Sequence, residues 1–518
     1  MITHSSTAHT PPTAPLWRRL LPKALQIAVT LFSLAILAAS YVKWDNRKLQ
    51  REIARKIRLG DEGKGFRELA SPVAEDTSNF CAIPCLKDSA GGTGNEERDA
   101  IVTARVKDLF SRVKKATSDI KITALCEDPK THIQTWATHF RATVPPAPPD
   151  AIPANASNSA FVLATLNLLL PELDELLDAS NRPNAQWTPA LRIRKFKGPV
   201  QFAQNQQPSL SLGLAKLLGA LSVVYLEENA PDKATRCIQA IIKIADANFD
   251  EPLYISSLVA VSVLRSAHDP IRLALSSEKI TIHQIEGISS CLQKIRPIES
   301  YAKASSGEAA IGLEFIDSLD ELHIQKAIED QTTTIPTAYR PLLFAFSGAP
   351  MKNLALRTLL DQLAHETPFS SEGMPAHLRR IADWQNATHS PLQDLTEKLF
   401  PLRSARLSVA RTAATAEAQL HLVRLACAIE MHRRSKNKLP SSLNELPSTI
   451  LSTNEDPLAA RPMRFKAVTP LAPTSSFRLW SVGLDLKDDN GEIEQTKLQP
   501  SPNTPGGDII WNSSFHHQ

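Results

Sequence analysis

Apolar residues recur with a helical period through the middle of the chain. Leu214, Leu217, Leu218 and Leu221 are spaced as i, i+3, i+4 and i+7, which places them on one face of an amphipathic helix. Pro231 opens the next helix, because proline is favoured in a first helical turn. Similar stripes predict helices at Glu96–Thr117, Pro252–Leu275, Ile282–Ile295, Ser305–Ala327, Pro341–His365 and Ser404–Arg434. Short connections between successive helices predict antiparallel hairpins.

The pattern changes after Lys438 to short segments typical of strands. Met463–Val468 and Phe477–Val482 predict an antiparallel pair, and Asp508–Trp511 predicts a last short strand. The predicted fold class is therefore mainly α, with a small C-terminal α+β module that contains an antiparallel sheet. The helices fit either a tetratricopeptide-like array or an irregular bundle, and no clean repeat of about 34 residues decides between them.

An apolar segment near the start predicts a transmembrane helix. Ala24–Val42 is nineteen residues long, carries no charge and lies between Lys23 and Lys43. At 1.5 Å per residue it spans about 28 Å, close to the thickness of the hydrocarbon core of a bilayer. Tyr41 and Trp44 lie at one end, where amphipathic rings favour the membrane interface.

A cleaved signal peptide is the alternative interpretation of this segment. Ala38, Ala39 and Ser40 are small enough for a cleavage site, but the apolar run is longer than the usual 7–15 residues. We therefore expect an uncleaved single-pass anchor. Three basic residues precede the segment and seven follow it; by the positive-inside rule this places the C-terminal part in the cytoplasm. Long domains cross membranes largely regardless of such charges, so the orientation stays open.

Composition shifts divide the chain into six parts. The predicted parts are a disordered tail (1–23), the transmembrane helix (24–42), a juxtamembrane region (43–143), a proline-rich linker (144–156), a helical domain (157–403) and a long helix with the α+β module (404–518). The basic run from Arg47 to Arg58 either contacts anionic headgroups or is only a charged helix that leaves the membrane.

Charge and cysteine content exclude two classes of protein. The net charge is +4, which is too weak a bias for a nucleic-acid-binding protein. Apolar residues make up 42 % of the chain, which is sufficient for a buried core. Six cysteines in 518 residues are too few for a disulfide scaffold.

The C-terminal motifs occur in a recognisable order: a long alanine-rich helix, then KLPSSLNEL, EDPLAARPMRFK, FRLWSVGLDLKDDNGE and GDIIW. This segment resembles the C-terminal domain of major pseudopilins of type II secretion systems. The preceding helical part contains LDELLDASNRPNAQW and the predicted helix Pro252–Leu275. It resembles membrane-anchored bacterial proteins of planctomycete and verrucomicrobial type, which carry the same C-terminal unit. The resemblance implies a bacterial inner-membrane protein with an extracytoplasmic C-terminal part. The residues before the anchor, WRRLLPK, lack the pseudopilin processing site, so we expect reuse of the module rather than assembly into a fibre.

The acidic loop of this module is the predicted metal site. The resemblance implies a bound calcium, which takes six to eight oxygen ligands from a flexible loop. The alternative is a solvated acidic turn, for which aspartate, asparagine and glycine are equally suited. The candidate ligands are Asp485, Asp488, Asp489 and Asp508, with Asn490 and Glu492 beside them.

Cys81 and Cys85 form the second candidate site. They are four positions apart and fit a local disulfide if the region is exported, or two unrelated thiols if it is not. Cys126, Cys237, Cys291 and Cys427 are scattered and fit small buried apolar residues. His365 and Glu366 begin like a metalloprotease motif, but Phe369 stands where the second histidine is needed.

Two functions from different classes agree with these observations. The sequence favours a non-enzymatic, membrane-anchored envelope protein whose helical domain binds a protein partner, with no nucleic-acid partner. The alternative is a membrane-tethered hydrolase whose active site is hidden among the helices. A pocket lined by convergent, buried titratable side chains would favour the hydrolase.

Overall fold

Helices make up most of the described chain. The computed structural model describes residues 36–55, 74–87, 96–117, 120–144, 155–187, 207–318, 348–366, 373–387, 406–451, 454–468, 476–492 and 507–513. The helices are α1 (36–55), α2 (Glu96–Thr117), α3 (Ile122–Glu127), α4 (Pro129–Thr143), α5 (Asn158–Leu169), α6 (Leu173–Ala179), α7 (Gln207–Glu227), α8 (Pro231–Phe249), α9 (Tyr254–Ser276), α10 (Ile282–Leu292), α11 (Pro297–Ser318), α12 (Ala349–Glu366), α13 (Gly373–Asn386), α14 (Arg406–Lys436) and α15 (Ser448–Leu451).

The predicted mainly helical class is confirmed, and so is the helix Glu96–Thr117. Local signals account for several helix starts. Pro231 stands in the first turn of α8, and Thr281 forms a reciprocal capping box with Gln284 before α10. Ser157 accepts a hydrogen bond from the Ala160 amide (3.0 Å) at the start of α5.

Helix α7 is the centre of the helical body. Residues on every side of it are buried, including Ala215, Ala220 and Val223, which lie off the predicted leucine stripe. The prediction of an amphipathic helix was therefore wrong here, because α2, α3, α4, α5, α8 and α9 all pack against α7. In the part of the chain that the structure describes, Pro208–Glu227 is the one helix long and apolar enough to cross a membrane, and 78 % of its most apolar window is buried within the protein. Its position in the core accounts for its apolarity.

Helix α14 joins the helical body to the C-terminal sheet. It packs against α9, α10, α11 and α13 and also against two strands, Ser476–Ser481 and Ile509–Asn512. One continuous cluster of buried apolar side chains extends from Phe80 to Trp511. The predicted division at residue 404 therefore marks a change of sequence pattern but not a gap in the core.

The strands form two small antiparallel ladders. β1 (Glu455–Asp456) pairs with β2 (Arg461–Pro462), and β4 (Ser476–Ser481) lies between β3 (Arg464–Val468) and β5 (Ile509–Asn512). The predicted C-terminal antiparallel sheet is thus confirmed. The buried Asp456 carboxylate accepts hydrogen bonds from the amides of Leu458 (2.9 Å) and Val482 (3.1 Å), which ties the β1–β2 turn to the end of β4.

Candidate functional site

Helix α1 has a docked part and an exposed part. Asp45, Leu49 and Ile53 are spaced four residues apart and are buried, so they form one stripe along the helix. Residues 36–41, at the other end of α1, are all exposed. The helix therefore emerges from the body of the protein.

The docked part of α1 is attached to α12 by polar contacts. Asp45 Oδ2 accepts hydrogen bonds from Asn353 Nδ2 (2.9 Å) and from the guanidinium of Arg357 (2.5 Å). Asn46 Nδ2 donates to the Ala349 carbonyl (3.0 Å). The hydrogen bond from Asn353 and the nearby Arg357 lower the pKa of Asp45, and the carboxylate stays charged where it is buried. These contacts fix the direction in which α1 leaves the body.

The exposed part of α1 is apolar and ends in an aromatic pair. Leu37 is 65 % exposed, Tyr41 62 % and Trp44 59 %. The rings of Tyr41 and Trp44 lie 6.0 Å apart, and Lys48 Nζ lies 5.8 Å from the centre of the Trp44 ring. Of the predicted transmembrane segment Ala24–Val42, only residues 36–42 lie within the described chain, and they do not pack into its core.

The acidic loop after β4 is organised around Asp488. Its Oδ1 accepts hydrogen bonds from Trp480 Nε1 (2.9 Å) and the Asn490 amide (3.0 Å), and its Oδ2 accepts one from Arg464 Nε (3.1 Å). The Trp480 and Arg464 contacts lower the pKa of Asp488. Arg464 is therefore a cation that the protein itself supplies to this loop.

Two other predicted ligands, Asp485 and Asp508, accept hydrogen bonds from backbone amides. Asp485 accepts hydrogen bonds from the amides of Lys487 (3.1 Å) and Gly507 (3.3 Å), and Asp508 Oδ2 accepts one from the Gly491 amide (2.7 Å). Burial raises the pKa of Asp508. Its Oδ1 is buried without a hydrogen-bond partner among the described residues.

The structure brings Asp485, Asp488, Asp489 and Asp508 into one loop region, but no group of three or more acidic, histidine or cysteine side chains in the described chain is arranged to hold a metal. The hydrogen bonds above direct the carboxylate oxygens of Asp485 and Asp488, and Oδ2 of Asp508, at Arg464, Trp480 and backbone amides. Calcium binding stays a prediction that the resemblance makes.

Cys81 and Cys85, for which the sequence allows a disulfide or two unrelated thiols, are free thiols in the structure. Cys81 lies in a 3₁₀ turn, Phe80–Ala82, and is completely buried. Cys85 is also buried, which raises the pKa of its thiol to about 12. Both sulfurs pack as small apolar groups in the main core.

A buried polar network that the sequence did not predict lies where α9, α11 and α13 meet. Arg380 donates to His377 Nδ1 (3.1 Å), and His377 Nε2 lies 3.3 Å from the hydroxyl of Tyr301. Arginine can only donate, so Nδ1 is the acceptor and Nε2 carries the hydrogen. The ring of Tyr301 stacks on that of Tyr254 at 5.9 Å.

Little in the sequence points to this network. Tyr301 and His377 are 76 positions apart. The sequence shows only that His377 and Arg380 are three positions apart, which is close to one helical turn. The side chains of His365 and Glu366 and all of His389 lie outside the described residues.

No family model matches the chain, and no curated protein or solved structure was found to be similar to it. The pseudopilin resemblance therefore rests on the C-terminal motifs alone. The functional interpretation rests on the geometry of α1, the acidic loop and the buried network.

Proposed function

We propose that this protein is a membrane-tethered scaffold of the bacterial envelope that presents a helical body to a protein partner. In this proposal Ala24–Val42 spans the inner membrane, and α1 continues the spanning helix to the body. The observation that carries the proposal is the exposed apolar end of α1, which is continuous with a part that docks through Asp45.

The exposed side chains explain why a lipid environment suits this end. A large apolar side chain that stays in water lacks the stabilisation of about 1.5–3 kcal/mol that burial would give it. Ile36, Leu37, Tyr41 and Trp44 are all more than half exposed. A bilayer removes that cost for the aliphatic residues, and its interface accommodates the tyrosine and tryptophan rings.

The docked part of α1 supports a scaffold role. Asp45, Asn353 and Arg357 hold the helix against α12, so the tether is joined to the body without a long flexible linker. The continuous core and helix α14 hold the helical body and the sheet together. A body that is attached in this way keeps a constant orientation to the membrane. This favours binding to a partner protein at a defined distance from the membrane surface.

The buried network does not favour the hydrolase alternative. A general base works best with a pKa near the operating pH. Burial lowers the pKa of His377 to about 4, and Arg380 and Tyr301 already engage its two ring nitrogens. This histidine is therefore suited to joining helices rather than to removing a proton from a nucleophile.

Membrane extraction tests the proposal directly. The full-length chain should stay with the membrane pellet after alkaline carbonate washing. The double variant L31R/L34R should move to the soluble fraction, because each arginine near the centre of a spanning helix costs about 2.5–3.5 kcal/mol. I101R is the matched control, since Ile101 is 66 % exposed on α2, and it should behave like the parent chain. Recovery of the parent chain in the soluble fraction would overturn the proposal.

A further inference from the structure

Helix α1 carries a basic stripe on the side opposite its docked stripe. Lys43, Arg47, Arg51 and Arg55 follow one another at intervals of four residues, and all four are exposed. A residue two positions further along a helix lies about 200° around it. For the first three, that residue is Asp45, Leu49 or Ile53, all of which are buried. The stripe therefore points away from the body.

The protein does not neutralise this stripe within its described residues. Of the two acids in the described part of α1, Asp45 is paired with Arg357 of α12, and Glu52 is in none of the ion pairs found in the described chain. None of the ion pairs found in the described chain involves Lys43, Arg47, Arg51 or Arg55. Four like charges on adjacent turns repel one another, so the arrangement favours an anionic surface beside the helix.

We propose that the first two residues of the basic stripe, Lys43 and Arg47, bind anionic lipid headgroups at the point where α1 leaves the membrane. This inference rests on the proposed membrane tether and adds the chemistry of the lipid that surrounds it. Lys43 directly follows the apolar segment and lies one residue before the interfacial Trp44. Its charge therefore lies at headgroup depth when Ala24–Val42 spans the bilayer.

The distance along the helix sets the strength of each contact. With a rise of 1.5 Å per residue, Arg47, Arg51 and Arg55 lie about 6, 12 and 18 Å beyond Lys43. The surface potential of an anionic membrane falls off within a Debye length, about 8 Å at physiological salt. Lys43 and Arg47 therefore form an inner pair that binds headgroups. Arg51 and Arg55 form an outer pair that lies too far from the headgroups to bind them.

Quenching of Trp44 fluorescence by brominated lipids tests this inference. The full chain is reconstituted into phosphatidylcholine vesicles that contain phosphatidylglycerol, with bromine on one lipid or the other. The difference from a W44F chain isolates the Trp44 signal. We expect brominated phosphatidylglycerol to be favoured at this position by about fivefold, the effect of one nearby charge. High ionic strength should reduce the preference.

Two double variants that each remove two positive charges show which pair of basic residues causes the preference for phosphatidylglycerol. K43Q/R47Q should abolish the preference for phosphatidylglycerol, and R51Q/R55Q should keep it. Equal quenching by both lipids in the parent chain would overturn the inference and leave the tether intact. A preference lost in R51Q/R55Q but kept in K43Q/R47Q would also overturn it. If neither lipid quenches Trp44, the membrane tether itself is wrong.

Discussion

At the scale of single residues, burial sets the charge state of groups that carry no sequence signature. His377 and Glu251 shift in opposite directions. Burial lowers the pKa of His377 from 6.5 to about 4 and raises that of Glu251 from 4.5 to about 7. Each shift disfavours the charged form, as expected for desolvation. The two groups therefore oppose each other in the dependence of stability on pH.

His377 should destabilise the fold in acid. Its pKa is lower in the folded state than in the unfolded state, so the unfolded chain binds more protons between about pH 4 and 6.5. Stability should fall as the pH falls through that window, by up to about 3 kcal/mol for this group. The glutamine of H377Q keeps an acceptor for Arg380 and a donor for Tyr301. This variant should therefore lose much less stability in acid than the parent chain, as measured by urea unfolding.

H283Q is the control for this measurement. His283 is 96 % exposed on α10, so its replacement should leave the difference in stability between pH 7.5 and pH 5 as it is in the parent chain. The structural role of His377 is contradicted if H377Q and the parent chain lose equal stability in acid.

At the scale of elements, buried charges on α14 complete the ends of other helices. Arg424 donates to the carbonyls of Leu292 (2.6 Å) and Ile295 (2.7 Å) after α10. Glu417 accepts from the Ile298 amide (3.2 Å) at the start of α11. Terminal carbonyls and amides lack a partner within the regular helix. Ile295 and Arg296 supply local donors to the two carbonyls, and α14 adds partners from a segment far away in the chain.

Removing the Arg424 guanidinium should destabilise the protein strongly. R424M keeps the length of the side chain but removes both of its hydrogen bonds, so the carbonyls of Leu292 and Ile295 keep only the Ile295 amide (3.1 Å) and Arg296 Nη1 (2.9 Å) as donors. Hydrogen bonds from charged groups contribute about 1.5–3 kcal/mol each, so we expect a loss of about 3 kcal/mol in urea unfolding. Hydrogen exchange should also become faster in the last turn of α10. R379M, at an exposed position on α13, should change neither measurement.

The acidic loop gives a second prediction at this scale, because Arg464 holds it by contact with Asp488. R464M should lower stability by about 1 kcal/mol, the upper range for a partly exposed ion pair. K487M, an exposed residue of the same loop, should have no effect. Thermal unfolding of the full chain in calcium and in chelator tests the calcium site that the resemblance predicts. A rise of several degrees in calcium would show that the carboxylates rearrange around the metal, and equal unfolding temperatures would contradict the prediction.

At the scale of the whole molecule, the continuous core predicts cooperative unfolding. Residues from Phe80 to Trp511 belong to one buried cluster, and α14 contacts both the helices before it and the strands after it. The C-terminal segment is recognisable as a module in sequence, but one side of its long helix is covered by α9, α10 and α11.

The isolated segment 404–518 should therefore lack a stable fold. Its α14 would expose buried apolar side chains such as Leu420, Leu425 and Ile429. We expect no cooperative thermal transition by circular dichroism for the fragment, whereas the full chain should show one transition that coincides by circular dichroism and tryptophan fluorescence. A sharp, independent transition of the fragment would contradict this prediction and support an autonomous module.

The sequence by itself determined the local features of this protein. The period of apolar residues predicted Glu96–Thr117 and the strands near Arg464 and Ser476, because helix and strand periodicity are properties of neighbouring positions. The same local signal identified the uncharged segment Ala24–Val42 and the acidic residues from Asp485 to Glu492.

Only the tertiary structure decided where those features lie and which of them meet. It buried α7 on all sides, joined His377 to Tyr301, placed Arg424 at the end of α10 and directed Asp488 to Arg464. These contacts join residues 24 to 132 positions apart. Such pairs leave no periodic trace, since they arise when separate helices and strands pack together to bury their apolar faces.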